Sequence, residues 1–587
     1  MTEIVLKGIS ISKGIAIGFP FYLAPQDEMV PEQAILSMEV ESEIARYRSA
    51  LFSSRLELEE LQKTLLHEGS ADGVAILDAH LEMLKDPLMT TEMEQKIRER
   101  QRNTESVFQK TISEYQNRFI SLKDSFFQER VKDIIDVSKR ILGHLSPHRK
   151  IDLQKLPPGS ILFVVELIPS MVAEADPGQV SGIVTQTGGI SSHAAIIARA
   201  KGIPYIAGIE IEKHRGIACQ GMILDGDQGL VIINPTEETQ EKYRQMILKA
   251  EDFHKVLAGQ YASKAETIDG FSIELFGNVE SVEDIDLLRK QGAAGIGLFR
   301  SEYLFLAKKS FPTEEEQYIA YRKIVEKIPK KPVIIRVFDI GGDKKGDLPA
   351  SMGWKTPTFF AHESNPVLGC RAIRFLLQYE ELFEKQLRAL FRASPFGNIQ
   401  ILLPMVSDIA EIRATRRLIA KIRNNLLEEK IPIKKQIPIG CMIEVPSSAI
   451  MCDAVCQEVD FLSIGTNDLI QYVLAADRSN PTVSSLYSSA HPSILRLLHH
   501  VVSVAERRKK ELILCGEMAA DAKFIPLLLG LGIRKFSMAA RHIPEVKHFI
   551  RNIRLMDACS IAEQAFRILS CEDLQKYLDH LSMRQYS

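Results

Sequence analysis

Three arginines in the C-terminal half of the chain are spaced so that they could bind a small anion. Arg300 closes the apolar run GIGLFR, Arg336 lies near the end of PVIIRVFD, and Arg478 lies in the loop sequence AADRSN. A guanidinium group binds phosphate or carboxylate through two parallel hydrogen bonds. Together these arginines predict a clamp for a small polyanion.

Polar and acidic residues end the neighbouring apolar runs. Glu444 ends IPIGCMIE, Asn467 and Asp468 follow DFLSIGT, and Cys515 lies near the end of ELILCGE. Glu444 and Asp468 supply hard oxygen ligands that suit Mg2+, which keeps several waters and completes its shell with substrate. Any one of these residues is equally consistent with a helix cap or a surface salt bridge. Polar groups at the ends of several runs favour a site for a small, polyanionic, metal-bound substrate.

His193 lies in a segment that could bind and accept a phosphoryl group. It follows two glycines and two serines in TGGISSHAAIIARAKG, and the small residues after it predict a helix that has His193 in its first turn. A helix N-terminus favours a bound phosphoryl group. An imidazole that is neutral near pH 7 is a nucleophile. A lone histidine is more often structural, so this segment alone leaves both interpretations open.

The elements that must position the arginines and carboxylates alternate in type. From about residue 270, eight apolar candidate strands are each followed by a segment with helical spacing, namely FSIELFGN, GIGLFR, PVIIRVFD, IQILLPMV, IPIGCMIE, DFLSIG, ELILCGE and KFSMAA. This pattern predicts a (β/α)8 barrel, in which strands are apolar because both faces are buried. Barrel active sites lie at the carboxyl ends of the strands. A doubly wound open sheet is the alternative.

The N-terminal half predicts two further units and a connector. Residues 1–30 and 149–235 contain short β-rich runs typical of a compact α/β domain, whereas residues 31–148 have the spacing of a helical bundle. Residues 236–262 are charged and helix-like, and they lead into a barrel domain over 263–587. The fold class is therefore multidomain α/β.

Composition excludes several classes of protein. The 587 residues carry a net charge of -3, so no basic field is expected to hold nucleic acid. The apolar runs ILFVV and IPLLLGLGI are too short to span a membrane, and the first residues lack the pattern of a cleaved signal. Eight cysteines without a CxxC pair suggest reduced thiols. We therefore expect a cytoplasmic protein without membrane insertion.

The motifs resemble those of a known family. GGISSHAAIIARAKGIPYIAG is similar to the phosphohistidine signature of the phosphoenolpyruvate (PEP)-utilising enzymes. GIGLFRSEYLF, VIIRVFDIGGDK, NPVLGCRAIR, DFLSIGTNDLIQYVLAADR and CGEMA resemble the PEP-binding barrel of that family, in the same order. The inserted helical segment, with no room for a nucleotide-binding domain, resembles the arrangement of the Enzyme I family of the PEP:sugar phosphotransferase system. No preceding sensory domain is expected.

The resemblance implies a role for each candidate residue. His193 would be the transient phosphohistidine, linked through Nε2, and Cys515 would protonate the enolpyruvate left behind. The resemblance further implies that Arg300 and Arg336 hold the phosphoryl group, that Arg478, Asn467 and Asp468 hold the remainder of PEP, and that Glu444 and Asp468 bind Mg2+. Arg371 is a weaker candidate for the same anion site.

Several positions depart from the family pattern. Ile190 replaces an arginine of the histidine signature, Ile168 and Val172 replace two threonines upstream, and Cys370 replaces a tryptophan. The loop from 346 to 364 is longer than usual. These departures bear on the expected catalytic rate and on closure of the loop more than on the assignment to the family.

The resemblance implies a phosphotransferase that passes the phosphoryl group from PEP through His193 to a histidine of the phosphocarrier HPr, which docks on the helical bundle. Because the barrel and the bundle cannot both adjoin His193 in one rigid arrangement, we predict that the α/β domain swivels on the connector. Dimerisation through the barrel is also implied. The alternatives are an ATP-dependent PEP synthase or dikinase relative, and a catalytically silent regulatory homologue.

Overall fold

The structure of the chain is a computed structural model. It describes residues 3–23, 31–67, 71–120, 125–145, 156–167, 169–189, 193–213, 219, 221–259, 263–306, 311–341, 365–478, 480 and 482–586. The chain divides into two compact units, Met1–Glu251 and Asp252–Ser587.

The first unit begins with three strands and continues into helices. The strands are β1 (Ile4–Lys7), β2 (Ile9–Ser12) and β3 (Ile15–Tyr22). The helices are α1 (Val40–His67), α2 (Ala71–Met83), α3 (Thr91–Arg100), α4 (Thr104–Ile120) and α5 (Ser125–Leu145). Apolar residues of these helices, such as Ile44, Tyr47 and Phe108, form a shared core. The predicted helical segment is thus a packed bundle.

The chain then returns to β structure. The next strands are β4 (Ser160–Glu166), β5 (Val180–Thr187), β6 (Tyr205–Ala207), β7 (Met222–Asp225) and β8 (Leu230–Ile233). The helices are α6 (Pro169–Glu174), α7 (His193–Ala200) and α8 (Glu237–Gly259). The eight strands form one mixed sheet in the order β1-β8-β7-β3-β4-β5-β6-β2. Because β3 and β4 are parallel neighbours, the bundle is an insertion between two paired strands.

The second unit contains a closed barrel of eight parallel strands. The strands are β9 (Glu274–Val279), β10 (Ile296–Arg300), β11 (Pro332–Arg336), β12 (Asn398–Leu403), β13 (Ile439–Ile443), β14 (Phe461–Gly465), β15 (Glu511–Cys515) and β16 (Lys535–Ala539). They pair in sequence order and β16 closes on β9, which confirms the predicted barrel and excludes the open sheet.

Helices surround the barrel strands. They are α9 (Asp284–Lys290), α10 (Tyr303–Leu306), α11 (Glu314–Lys327), α12 (Ile373–Gln378), α13 (Glu380–Ala393), α14 (Ile409–Glu428), α15 (Pro446–Ile450), α16 (Cys452–Glu458), α17 (Thr466–Leu474), α18 (Pro492–Arg507), α19 (Glu517–Ala520), α20 (Ile525–Gly530), α21 (Ile543–Arg551), α22 (Leu555–Arg567) and α23 (Cys571–Tyr586). The starts of α11 and α14 are defined by capping boxes, with Thr313 and Asp408 as the respective N-caps.

Alternation along the barrel strands explains why they are apolar throughout. Phe299 and Ile335 pack outward against the helices. Leu298 and Ile334 belong to a separate interior cluster with Cys515. Successive strand side chains point to opposite faces, so burial of both faces requires apolar residues at almost every position. Within the described ranges, no helix combines the length and the apolar character needed to cross a membrane.

Candidate active site

The carboxyl ends of the barrel strands bring together most of the residues singled out from the sequence. Arg300 is the last residue of β10, Arg336 of β11 and Cys515 of β15. Glu444 follows β13 directly. Because the strands are parallel and the barrel is closed, these ends lie on one rim.

Asn467 and Asp468 open helix α17, which starts directly after β14. Their strand is hydrogen-bonded to β13 on one side and to β15 on the other. These two residues therefore share the rim with the residues that end the neighbouring strands.

Two of the predicted arginines are held in a chain of ion pairs. Arg300 Nη1 lies 2.7 Å from Glu280 Oε1 and its Nε lies 3.2 Å from Glu302 Oε1. Arg336 also contacts Glu302, and its Nη1 lies 3.0 Å from Asp339 Oδ2. Glu302 therefore bridges the two guanidinium groups and fixes their separation.

Arg371 extends this chain and is more central than the sequence predicted. Its Nε and Nη2 donate to Asp339 Oδ1 and Oδ2 at 2.7 and 2.9 Å. On its other side, Nη2 lies 3.1 Å from Asp468 Oδ2. The guanidinium is 1% exposed, so these are desolvated, bidentate contacts. The sequence offered little sign of this role, because Arg371 does not follow a strand directly.

Glu444 is buried in a carboxylate-rich environment. It is 1% exposed, and its Oε1 accepts the Met405 N–H at 2.6 Å. Burial, followed by repulsion from the carboxylates of Asp468 and Asp339, raises the pKa of Glu444 to about 8. A cation placed here would relieve that repulsion. Glu444 and Asp468 therefore fit a divalent ion that takes few protein ligands.

No group of three or more His, Cys, Asp or Glu side chains within the described part of the chain has the geometry of a metal site. Mg2+ does not require such a cage, since it is often held by one or two carboxylates, waters and a substrate phosphate. The pair of acids at the rim is therefore compatible with Mg2+.

Two backbone conformations at this rim were not foreseen from the sequence. Met405, whose N–H reaches Glu444, has a φ of 57°. Ala372, which follows Arg371, has φ 56° and ψ -123°. Residues with side chains rarely adopt these regions, and such strain concentrates at functional sites. Neither residue type signals this conformation.

Asn467 is tied to the end of the next strand. Its Oδ1 accepts the Glu517 N–H at 2.9 Å and its Nδ2 donates to Glu517 Oε1 at 3.2 Å. Gly516, with a φ of 101°, allows this approach, because a Cβ there would lie 2.9 Å from Asn467 Oδ1. Arg478 is exposed and hydrogen-bonds to Tyr487, whose hydroxyl donates to the Asn467 carbonyl at 3.2 Å. Arg478 is thus linked to the rim.

Cys515 faces the barrel interior below the ion pairs. It is 1% exposed, and its Sγ lies 3.2 Å from Ser463 Oγ. Burial raises the pKa of the thiol to about 11, although the nearby hydroxyls of Ser463 and Ser537 oppose that shift. The sulfur therefore carries its proton at neutral pH. All eight cysteines of the chain are free thiols.

His193 is the first residue of α7, as the sequence predicted. Ala194, Ala195 and Ile197 bury one face of that helix in the core that the bundle also enters, and α7 packs on α2. Among the departures from the family pattern, Val172 is fully buried and Cys370 is half-buried. Positions 168, 190 and 346–364 lie outside the described residues.

Comparison with known proteins agrees with this architecture. Models of the PEP-utilising enzymes match along the chain, the N-terminal model at residues 7–130, the mobile-domain model at 156–229 and the PEP-binding-domain model at 255–555.

Proteins named phosphoenolpyruvate-protein phosphotransferase align along almost their entire length. The one from Bacillus sp. (strain S) is 36% identical over 98% of both chains. Those from Listeria monocytogenes and Staphylococcus carnosus are 37% and 36% identical, over 98% and 97% of both chains respectively. The chain is therefore an enzyme that belongs to the phosphoenolpyruvate-protein phosphotransferase family of PEP-utilising enzymes.

Proposed function

We propose that the enzyme transfers the phosphoryl group of PEP to His193 and then to a histidine of the phosphocarrier HPr, releasing pyruvate. The observation that carries this proposal is the rim of the barrel, where two arginines, a carboxylate pair and a thiol that keeps its proton at neutral pH lie at or just after the ends of the strands. The substrate that suits these groups is a metal-bound enol phosphate. The arginines would bind its phosphate, the carboxylates would bind its metal ion, and the thiol would protonate its carbon.

In this proposal, Arg300 and Arg336 hold the phosphoryl group. Their positive charges would stabilise the charge that spreads over the phosphoryl oxygens during transfer. The buried Arg336 Nε has no hydrogen-bond partner among the described residues, which supports an anion as its partner. Asn467, Asp468 and Arg478 would hold the remainder of PEP.

We assign the metal site to Glu444 and Asp468. The PEP-utilising enzymes use a metal ion, and we propose that it is Mg2+. Both ligands are carboxylates with hard oxygen donors, and the carboxylates of Asp468 and Asp339 add to burial in raising the pKa of Glu444, so negative charge is concentrated where the ion would bind. When bound, the ion would neutralise charge on the phosphate oxygens of PEP.

Cys515 would protonate the enolate that remains after phosphoryl transfer. Cleavage of the P–O bond leaves an enolate, and the thiol would give its proton to C3 to form the methyl group of pyruvate. A thiol that remains protonated at neutral pH, as the raised pKa of Cys515 indicates, is suited to this general-acid role.

For transfer to HPr, His193 would have to reach two positions, one beside PEP at the barrel and one beside HPr at the bundle. We assign residues 1–30 and 149–235 to the phosphohistidine domain, 31–148 to the HPr-docking bundle, 236–262 to the connector and 263–587 to the barrel. The contact of α7 with α2 supports a state in which the phosphohistidine helix lies against the bundle. A swivel on α8 would then bring His193 to PEP.

We further propose a cytoplasmic homodimer joined through the barrel. Exposed apolar residues follow the carboxyl ends of three barrel strands, where Leu368 is 66%, Ile450, the last residue of α15, is 64% and Leu486 is 62% exposed. Exposed apolar side chains mark a protein interface where they form one contiguous patch. The free cysteines support a reducing compartment.

Labelled PEP and Mg2+ test the proposal directly. The full chain should become labelled and pass the label to HPr, whereas His193→Ala should not be labelled and His500→Ala should behave as the wild type. Label on His193→Ala at the wild-type level would refute the nucleophile. AMP formation from ATP would indicate the dikinase-like alternative, and absence of any label would indicate a silent homologue.

The swivel has a separate test. A disulfide that locks the connector to its neighbours should stop transfer from PEP to HPr, and reduction of that disulfide should restore it. Undiminished transfer in the oxidised protein would refute the swivel without affecting the assignment of His193.

A further inference from the structure

Two buried hydroxyls surround the Cys515 thiol. Ser463 Oγ lies 3.2 Å from Cys515 Sγ, and the Ser537 hydroxyl is the second hydroxyl that acts on the pKa of the thiol. Both serines are fully buried. Ser463 belongs to β14 and Ser537 to β16, so the hydroxyls approach Cys515 from the strands on either side of β15.

These hydroxyls lie beside an apolar cluster of the barrel interior. That cluster contains Cys515 and apolar side chains such as Leu298, Ile334 and Met442. Burial of a hydroxyl in an apolar layer costs free energy unless it finds a partner. A purely structural layer would therefore favour alanine or valine at both serine positions.

The surroundings of Ser537 are arranged to hold its hydroxyl in place. Its Oγ donates to Asn278 Oδ1 at 2.6 Å. Gly297 leaves room for it, because a Cβ at Gly297 would lie 2.7 Å from Ser537 Cβ. With its hydrogen directed to Asn278, the Ser537 hydroxyl can only accept from Cys515, and the Gly297 carbonyl, 4.0 Å from Cys515 Sγ, is a second acceptor for the S–H. Ser463 is then the residue that can donate to the sulfur.

We propose that Ser463 and Ser537 are positioning residues for Cys515. Ser537 accepts the S–H and orients the thiol, and Ser463 stabilises the thiolate formed when the thiol gives up its proton. The proposal rests on the proposed function, in which Cys515 protonates C3 of the enolate. In that step the electron pair of the C2–C3 double bond forms the new C–H bond, and the S–H bond breaks. The enolate oxygen forms the carbonyl of pyruvate.

The thiolate left behind is a buried charge. Ser463 would donate a hydrogen bond to it until pyruvate leaves and water returns the proton. The charged groups that act on Cys515 have opposite effects, since Arg336 favours the thiolate and Glu444 disfavours it. Burial strongly disfavours the thiolate, so the Ser463 hydroxyl supplies the nearest compensation.

Two measurements on the full chain test the proposal. The first is the rate at which iodoacetamide alkylates Cys515 as a function of pH, read from the Cys515 peptide by mass spectrometry. The second is the enzyme-catalysed exchange of the methyl hydrogens of pyruvate in D2O with Mg2+, which requires the thiolate as base. Loss of one donated hydrogen bond should shift the alkylation profile upward by about one pH unit.

We expect Ser463→Ala to slow exchange about tenfold at pH 8, in line with that shift. Ser537→Ala, which removes an acceptor of the S–H and no donor to the thiolate, should not shift the alkylation profile upward. Ser463→Thr, which keeps the hydroxyl, should restore the wild-type profile. Ser394→Ala is the matched control, since it removes a buried hydroxyl that donates to the Phe391 carbonyl instead. It should leave both measurements unchanged.

An unchanged alkylation profile in Ser463→Ala, or an upward shift in Ser537→Ala, would overturn the proposal. A shift in Ser463→Thr equal to that in Ser463→Ala would also overturn it, because the hydroxyl would then be irrelevant. Wild-type exchange in Cys515→Ala would refute the proton donor of the proposed function, while the alkylation profiles would still decide whether the serines act on the thiol.

Discussion

Arg371 and Asp468 are 97 residues apart in the sequence and form a buried ion pair at the barrel rim, with 3.1 Å between Nη2 and Oδ2. The same guanidinium holds Asp339 through two hydrogen bonds. One arginine thus fixes a carboxylate that we assign to the metal and joins it to the arginines that we assign to the phosphoryl group. The rim is a connected electrostatic unit rather than a set of independent side chains.

Removal of Arg371 should destabilise the barrel. Arg371→Met leaves Asp339 and Asp468 buried without their cationic partner, and such a loss costs about 3–5 kcal/mol. We expect urea unfolding to show this decrease in the free energy of unfolding. Lys385→Ala, which breaks an exposed pair with Glu381, is the control and should leave the unfolding curve in place. Equal curves for all three proteins would contradict the role of Arg371.

Gly297 should be intolerant of a side chain. A Cβ there would lie 2.7 Å from Ser537 Cβ and 2.8 Å from Phe276 Cβ, so Gly297→Ala overpacks the interior. We expect a loss of about 1–3 kcal/mol in unfolding free energy. Gly143→Ala is the matched control, because it lies in helix α5 with nothing within 4 Å of a new Cβ. The free energy of unfolding of Gly143→Ala should equal that of the wild type or exceed it by about 1 kcal/mol.

The Cys515 thiol should make stability depend on alkaline pH. Its pKa is raised from 9.0 to about 11 in the folded state. Between these values the unfolded chain releases the proton and the folded chain keeps it, so the free energy of unfolding falls as pH rises through this window. At pH 10 the effect is about 1 kcal/mol.

Between pH 8 and pH 10, the free energy of unfolding of Cys515→Ser should therefore fall by about 1 kcal/mol less than that of the wild type. Urea unfolding at the two pH values measures this difference. Cys559→Ser, which removes an exposed thiol and retains Cys515, should follow the wild type. A Cys515→Ser curve that falls in parallel with the wild type would contradict the raised pKa.

The assignment of the metal ligands predicts a specific change in metal dependence. Glu444→Gln keeps the shape of the side chain and removes its charge, so the affinity for Mg2+ should fall at least about tenfold. Calorimetric titration of Mg2+ and the Mg2+ dependence of pyruvate formation both measure this change. Glu511→Gln, at the opposite end of barrel strand β15, should keep the wild-type affinity. Unchanged binding in Glu444→Gln would exclude Glu444 as a ligand.

The barrel strands and the residues at their ends were predictable from the sequence alone. Apolar runs of strand length, each followed by helical spacing, indicated eight strands, and the structure closes them into a barrel. Arg300, Arg336 and Cys515 ended their runs and lie at strand ends. This succeeded because strand alternation and helix periodicity are local patterns that a short segment contains in full.

The partners of these residues were decided only by the tertiary structure. Nothing near Arg371 in the chain indicated that it would hold Asp339 and Asp468, and nothing near Cys515 indicated Ser463 or Ser537. Such contacts depend on the register of neighbouring strands and on closure of the barrel, because these place residues that are far apart in the sequence side by side. Local sequence encodes the elements, whereas the charges and hydroxyls that tune each side chain come from elements far along the chain.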